Sequence, residues 1–119
     1  MRMEGLRDRT KQFALRVVRL FTLLPKTTLA QTIGKQVLRS GTSVAANFRE
    51  ASRARSDAEF ISKLGIVEQE LDETLLWLEI LVESNIITAT KLAALQTEAD
   101  ELLRIIVTSI QRTKQRPKS

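Results

Sequence analysis

The chain has 119 residues, carries a formal net charge of +5, and contains neither cysteine nor histidine. A chain of this length forms one domain, with a core large enough to fold without disulfides or a structural metal. The missing residue types exclude disulfides, thiolate nucleophiles, imidazole bases, and zinc or haem sites that depend on those side chains. Aromatic residues make up 4%, too few for a surface that stacks nucleic-acid bases.

Nothing in the sequence resembles a membrane anchor or a secretion signal. No segment has the 18 consecutive apolar residues of a membrane-spanning helix. The basic residues near the N-terminus are interrupted by Glu4 and Asp8, and the apolar run of a signal peptide does not follow them. We therefore expect a cytoplasmic protein.

Helical spacing of apolar residues recurs in four blocks, and the period of two that marks a strand is missing. The first block covers residues 6–24 and ends at Pro25, because the residue before a proline is pushed out of the α region. Its predicted core stripe is Leu6, Phe13, Val17, Leu20 and Leu24.

The second block runs from Thr27 or Thr28 to about Arg55. Its predicted core stripe is Leu29, Ile33, Val37, Val44, Phe48 and Ala51. The sequence Ser40-Gly41-Thr42-Ser43 lies in its middle, and glycine weakens a helix by about 1 kcal/mol relative to alanine. We predict a kink or a break there, with close helix packing around the small residues.

The third block starts at Ser56, which forms a capping-box pattern with Glu59, and runs to about Ser84. Its predicted core stripe is Phe60, Leu64, Val67, Leu71, Leu75, Leu78 and Val82. The fourth block starts near Thr88 or Thr90 and runs to about Gln111. Its stripe is Leu92, Leu95, Ala99, Leu102, Leu103, Ile106 and Ile110.

The connections between these blocks are only a few residues long, which makes sequential helices antiparallel neighbours. The predicted architecture is an all-α, up-down-up-down four-helix bundle over residues 1–111. Residues 112–119 carry four basic side chains and Pro117, and they are expected to form a basic flexible tail.

The third helix has a second apolar arc that a single bundle does not need. Residues in or beside this arc form a predicted oligomer interface: Ile66, Glu70, Glu73, Trp77, Ile80 and Leu81. Tryptophan is enriched at the energetic centres of interfaces, so we predict a homo-oligomer. The alternative is that Trp77 folds back over one edge of its own bundle.

Charge is segregated along the chain. Residues 1–55 hold 12 basic and 3 acidic side chains, whereas residues 56–101 hold 2 basic and 11 acidic ones. The basic side chains of the first two helices predict contact with a phosphate backbone. The predicted nucleic-acid-binding residues are Arg9, Arg16, Arg19, Lys35, Arg39, Arg49 and Arg53.

Other interpretations of these charges stay open. The basic face could pair with acidic residues of the third helix, within or between subunits, or it could meet an acidic protein partner. A metal-dependent hydrolase that uses Glu70, Asp72 and Glu73 is a further alternative, although no base partner accompanies these carboxylates.

Three segments resemble the four-helix-bundle family of 23S rRNA intervening-sequence proteins. They are RSGTSVAANFREA at residues 39–51, AEFISKL at residues 58–64 and LDETLLWLEIL at residues 71–81, and the resemblance covers roughly residues 8–110. It implies a small bacterial protein that forms a homopentamer and has no established enzymatic activity, cofactor or metal. A related branch comprises the accessory proteins of diversity-generating retroelements, which bind nucleic acid and a reverse transcriptase.

The resemblance and the charge together predict a non-catalytic homo-oligomer that binds RNA or DNA through a basic face. The alternative is a protein-interaction scaffold without direct nucleic-acid contact. For the second-helix motif we predict mainly structural roles, including close approach of helices and a buried or intersubunit network of Arg39 and Glu50 with Glu70 or Glu73. The motif residues with predicted structural roles are Ser40, Gly41, Ser43, Asn47 and Glu50.

Overall fold

A computed structural model of the chain describes residues 3–117, and side chains are described from residue 5. Within this range it contains four helices and no strand: α1 is Met3–Leu23, α2 is Thr28–Ala51, α3 is Asp57–Glu83 and α4 is Ala89–Lys114. Helices adjacent in sequence pack against each other, and α1 meets α4 more loosely. The predicted all-α four-helix bundle is confirmed, with extents of 55 × 20 × 20 Å.

Side-chain hydrogen bonds cap the N-termini of α2 and α3. The Thr27 hydroxyl accepts a hydrogen bond from the backbone N–H of Ala30 at the start of α2, at 3.2 Å. At the start of α3, the Ser56 hydroxyl accepts from the backbone N–H of Glu59 at 3.1 Å, as the capping-box pattern predicts. These bonds satisfy helix donors that have no partner within the helix.

Helix α3 ends at a residue with a left-handed backbone conformation. Asn85 has a φ of 59°, and its backbone N–H donates to the Val82 carbonyl while that of Ile86 donates to the Leu81 carbonyl. This pair of bonds defines a Schellman motif, in which asparagine is one of the few residues that tolerates the left-handed conformation. Residues 85–88 then lead into α4.

The core follows the predicted stripes with one clear exception. Every predicted core residue of α1 is buried, whereas Leu29 of α2 is 56% exposed. The prediction for Leu29 is wrong because the first buried residue of α2 is Ala30, three residues before Ile33. Leu29 therefore points away from the core. Half-buried residues at the edges of the predicted stripes are Phe60, Leu75, Val82 and Leu103.

Helix α2 continues through the small-residue motif, so the predicted break is absent. The Thr42 hydroxyl donates to the Leu38 carbonyl at 2.7 Å, a bond that the helix accommodates without ending. A Cβ atom on Gly41 would lie 2.7 Å from Cγ2 of Val17, which is closer than carbon atoms can approach. The predicted close packing around the small residues is therefore confirmed between α1 and α2.

Helix α4 runs three residues past the predicted end of the bundle at residue 111. Helix α4 extends to Lys114, Thr113 is buried, and Arg116 lies 3.1 Å from the Asp57 carboxylate of α3. The predicted boundary is corrected, because the Thr113 hydroxyl bonds to the Ser109 carbonyl and faces the bundle. The last two residues of the predicted tail lie outside the described part of the chain.

Within the described residues, none of the four helices combines the length and hydrophobicity that crossing a membrane requires.

Candidate nucleic-acid interface

A groove between α1 and α2 gathers four cationic side chains. Its cationic residues are Arg7 and Lys11, one turn apart on α1, Arg49 in the last turn of α2, and Arg53, two residues beyond the end of α2. The small side chains of Ala45 and Ala46 form part of its lining, and its volume is about 390 Å³. We call this site the α1–α2 groove.

Carboxylates in the described part of the chain leave the cations of this groove unpaired. Across residues 5–117, none of the four cations forms an ion pair. The only carboxylate in the lining, Glu50, pairs instead with Lys63 of α3 at 2.9 Å. The groove therefore presents four positive charges to a ligand at the surface.

Arg9 forms ion pairs with carboxylates of its own chain, contrary to its predicted role in binding nucleic acid. Its guanidinium donates to both carboxylate oxygens of Glu98 at 2.8 Å and lies 2.8 Å from Glu101, so it joins α1 to α4. These hydrogen bonds raise the pKa of Arg9 and lower the pKa of Glu98. The pair contributes stability at neutral pH, which is lost as the pH falls through the lowered pKa of Glu98.

Arg39 is likewise paired within the chain. Its guanidinium contacts Glu73 and lies 3.1 Å from Glu70, while the Trp77 indole N–H donates to Glu73 at 3.3 Å. The hydrogen bond from Arg39, followed by that from Trp77, lowers the pKa of Glu73. The predicted contacts of Arg39 with Glu70 and Glu73 are present between α2 and α3 of one chain, but they are exposed rather than buried.

The predicted place of Glu50 in that network is wrong, because its carboxylate pairs with Lys63, about two helical turns before Glu70 on α3.

The remaining predicted cations lie at other places on the bundle. Arg16 and Arg19 line a different groove, between α1 and α4, together with Lys91. Lys35 is exposed in the first half of α2, away from Arg49 and Arg53. The predicted nucleic-acid-binding residues therefore lie on more than one surface of the bundle, because α1 has α2 on one side and α4 on the other.

Sequence reasoning missed Arg7 and Lys11 as partners of Arg49 and Arg53. Each pair has a spacing of four, which places its members on one side of a continuous helix, although only Arg7 and Lys11 lie within one helix. That spacing is a detectable signal, but only the three-dimensional arrangement shows that the two pairs face each other across one groove.

The predicted interface residues lie mainly along the outer side of α3 next to α2. Ile66, Glu70, Glu73, Trp77 and Ile80 are half-buried in the single chain. Leu81 is corrected: it is fully buried in the core, since it lies three residues after Leu78 and seven after Thr74, which are both buried. An oligomer contact at the other five residues stays a prediction.

Trp77→Ala is expected to lower the mass of the assembled protein if copies meet at this face. Light scattering of the wild type should then give a mass well above the 13.5 kDa of one chain. Leu15→Ala removes a partly exposed apolar side chain of α1 and serves as the control. Equal masses for wild type and Trp77→Ala would place the contact elsewhere.

The other motif residues have contacts that are structural. The Ser40 and Thr74 hydroxyl oxygens lie 2.7 Å apart in a fully buried hydrogen bond between α2 and α3. The Asn47 amide donates to the carbonyl and the hydroxyl of Ser43, both at 2.9 Å. Buried polar groups need such partners, and the Ser40–Thr74 bond joins α2 to α3, whereas the bonds of Asn47 lie within α2.

The carboxylates of the hydrolase alternative do not converge. Glu70 and Glu73 pair with Arg39 on the α2 side of α3, whereas Asp72 lines a groove on the α4 side. Within the described residues, no three carboxylates lie close enough together to hold a metal ion. The arrangement therefore contradicts a catalytic centre made from these three side chains.

The fold and the motif contacts define a small bundle protein in which a serine and glycine motif on α2 packs against α1 and α3. The sequence matches the family described as 23S rRNA-intervening sequence protein over residues 6–108, and the chain belongs to that family. The match confirms the resemblance carried by the α2 and α3 motifs.

A crystal structure from Bacteroides thetaiotaomicron has the same fold. That protein is described as having unknown function and as coming from the S23 ribosomal protein family. The two sequences are 36% identical, the TM-score is 0.87, and the alignment covers 93% of this chain and 99% of the other. A comparison with curated proteins found no match.

Proposed function

We propose that this protein binds RNA or DNA without catalysing a reaction, and that the α1–α2 groove contacts the phosphate backbone. The observation that carries the proposal is the group of four cations, Arg7, Lys11, Arg49 and Arg53, without an ion-pair partner among residues 5–117. Arg9 and Arg39 are left out because carboxylates of the same chain already neutralise them.

The chemistry of this groove favours phosphate over base contacts. Cations that neutralise phosphates release condensed counterions, which gives affinity without sequence preference. Alanine side chains near the cations leave room for a backbone to approach, while aromatic groups for stacking are scarce in the chain. We therefore expect binding to RNA and DNA with little dependence on sequence.

We further propose that the protein acts as a homo-oligomer in the cytoplasm, with five copies as the family resemblance implies. Several copies would repeat the α1–α2 groove, so that weak individual contacts add up on one nucleic-acid strand through avidity.

Removal of two groove cations should weaken nucleic-acid binding selectively. Arg49→Ala combined with Arg53→Ala is expected to reduce affinity for a labelled 20-nucleotide RNA or DNA by about tenfold at low salt. The matched control, Lys26→Ala with Lys35→Ala, removes the same charge from exposed positions at the other end of α2, and we expect a much smaller loss. Fluorescence anisotropy measures both.

Equal losses in the two variants would mean that only net charge matters and would contradict a defined site. The control also tests the separate sequence prediction that Lys35 contributes to binding.

The scaffold alternative predicts a different result in the native host. A tagged protein would then retain a protein partner after nuclease treatment, and the purified protein would not bind nucleic acid at low salt. Loss of every co-purifying protein on nuclease treatment would instead support direct nucleic-acid binding.

A further inference from the structure

An acidic groove lies between α3 and α4. Asp72 and Glu79 of α3 line it together with Asp100 of α4, and its volume is about 610 Å³. Leu76 lies in the same lining and is 49% exposed, although it is a large apolar side chain. We call this site the acidic groove.

Most of its charge is unpaired. Within the described residues Asp72 and Glu79 form no ion pair, and only Asp100 has a partner, Arg104, one turn along α4. An exposed leucine between unpaired carboxylates indicates an interaction surface whose partner surface is both apolar and positively charged.

The neighbouring groove between α1 and α4 has the complementary composition. Arg16, Arg19 and Lys91 line it, and Leu23, the most exposed large apolar residue of the bundle at 77%, lies among them. Arg19 and Lys91 form no ion pair among residues 5–117, while Arg16 is close enough to Glu98 to help lower its pKa. We call this site the apolar-basic groove.

The two grooves lie at the same height along the bundle. On α4 the apolar-basic groove uses residues 91–95 and the acidic groove residues 96–100, so their centres differ by about 7 Å along the axis. The α1–α2 groove lies at the opposite end, where α1 begins and α2 ends. The apolar-basic groove is therefore the cationic surface that is level with the acidic one.

We propose that the acidic groove of one copy packs on the apolar-basic groove of the next copy, with Leu76 against Leu23 and carboxylates facing Arg19 and Lys91. The contact joins two different surfaces, so each copy binds one neighbour through each of them. Both surfaces border α4, and repetition of the contact forms a ring where the rotation from copy to copy closes. The α1–α2 groove lies outside the contact and stays free.

This contact rests on the proposal that copies of the chain associate, but it uses faces other than that of Trp77. It does not depend on nucleic-acid binding. Reversal of charge tests this contact. A groove with reversed charges should repel the groove that it normally binds, and it should bind that groove again when the charges of the second groove are reversed too.

The experiment compares masses by light scattering at low salt. Asp72→Lys with Glu79→Lys is expected to lower the mass of the assembly, and so is Arg19→Glu with Lys91→Glu. All four substitutions in one chain should restore it. Arg49→Glu with Arg53→Glu makes a charge change of the same size in the α1–α2 groove and should leave the mass unchanged. Circular dichroism checks that each variant is folded.

Three results would overturn the contact: wild-type mass in both double variants, no recovery in the fourfold variant, or a monomeric wild type. The last would also refute the proposed homo-oligomer. Loss of mass with Trp77→Ala alone would leave the homo-oligomer standing and place the contact at the α2–α3 face instead.

Discussion

Gly41→Leu is expected to be the most destabilising single change in the bundle. Helix α2 places this glycine against α1, and even a Cβ atom would lie 2.7 Å, 2.8 Å and 3.1 Å from Cγ2, Cγ1 and Cβ of Val17. All three contacts belong to a short β-branched side chain, which has few rotamers with which to give way. A leucine must therefore push α1 and α2 apart along their whole contact.

Overpacking of this kind costs about 1–3 kcal/mol for small additions and more for a large side chain. Gly41→Ala should show the lower end of that range, since alanine recovers about 1 kcal/mol of helix propensity. Gly65→Ala is the matched control, because a Cβ on Gly65 has no neighbour within 4 Å and the change should be neutral or stabilising. Urea unfolding followed by circular dichroism measures all three. A stable Gly41→Leu variant would contradict the tight α1–α2 contact.

Phe48→Ala is expected to cost about 3–5 kcal/mol in free energy of unfolding. Phe48 is completely buried and is among the largest side chains of the core. The loss is a large part of the 5–15 kcal/mol that stabilises a typical domain. Thermal unfolding would measure it as a drop of many degrees.

Leu29→Ala provides the comparison, because the sequence pattern places Leu29 and Phe48 on the same stripe. The structure leaves Leu29 56% exposed, so this change should cost well under 1 kcal/mol. Equal losses in the two variants would mean that α2 is rotated relative to the arrangement described here.

The sequence predicts most of the fold because the patterns that mark the helices and their ends involve residues close together in the chain. The capping box at Ser56, the stop at Pro25 and the helical spacing of apolar residues each depend on neighbours within one or two turns. Leu29 was misplaced because spacing alone does not show which of two adjacent stripes, one with Leu29 and one with Ala30, continues into the core. The small-residue motif did not break α2, since packing against Val17 and the Ser40–Thr74 bond outweighs its low helix propensity.

The candidate site is less predictable, because it depends on contacts between helices. Periodicity correctly places Arg9, Arg16 and Arg19 on one side of α1, but that side faces α4. Helix α4 supplies Glu98, which neutralises Arg9, and Lys91, which joins the other two cations in a separate groove. Arg7 and Lys11 meet Arg49 and Arg53 only because α1 and α2 run antiparallel and side by side.

The salt dependence of nucleic-acid affinity tests the central claim most directly. If four cations of the α1–α2 groove each neutralise one phosphate of a duplex, the logarithm of the association constant should fall against that of the salt concentration with a slope of about −3.6. Affinity would then drop by about a hundredfold between 50 and 200 mM salt, and Arg49→Ala with Arg53→Ala should halve the slope. Absence of binding at low salt, or an unchanged slope in that variant, would contradict the account.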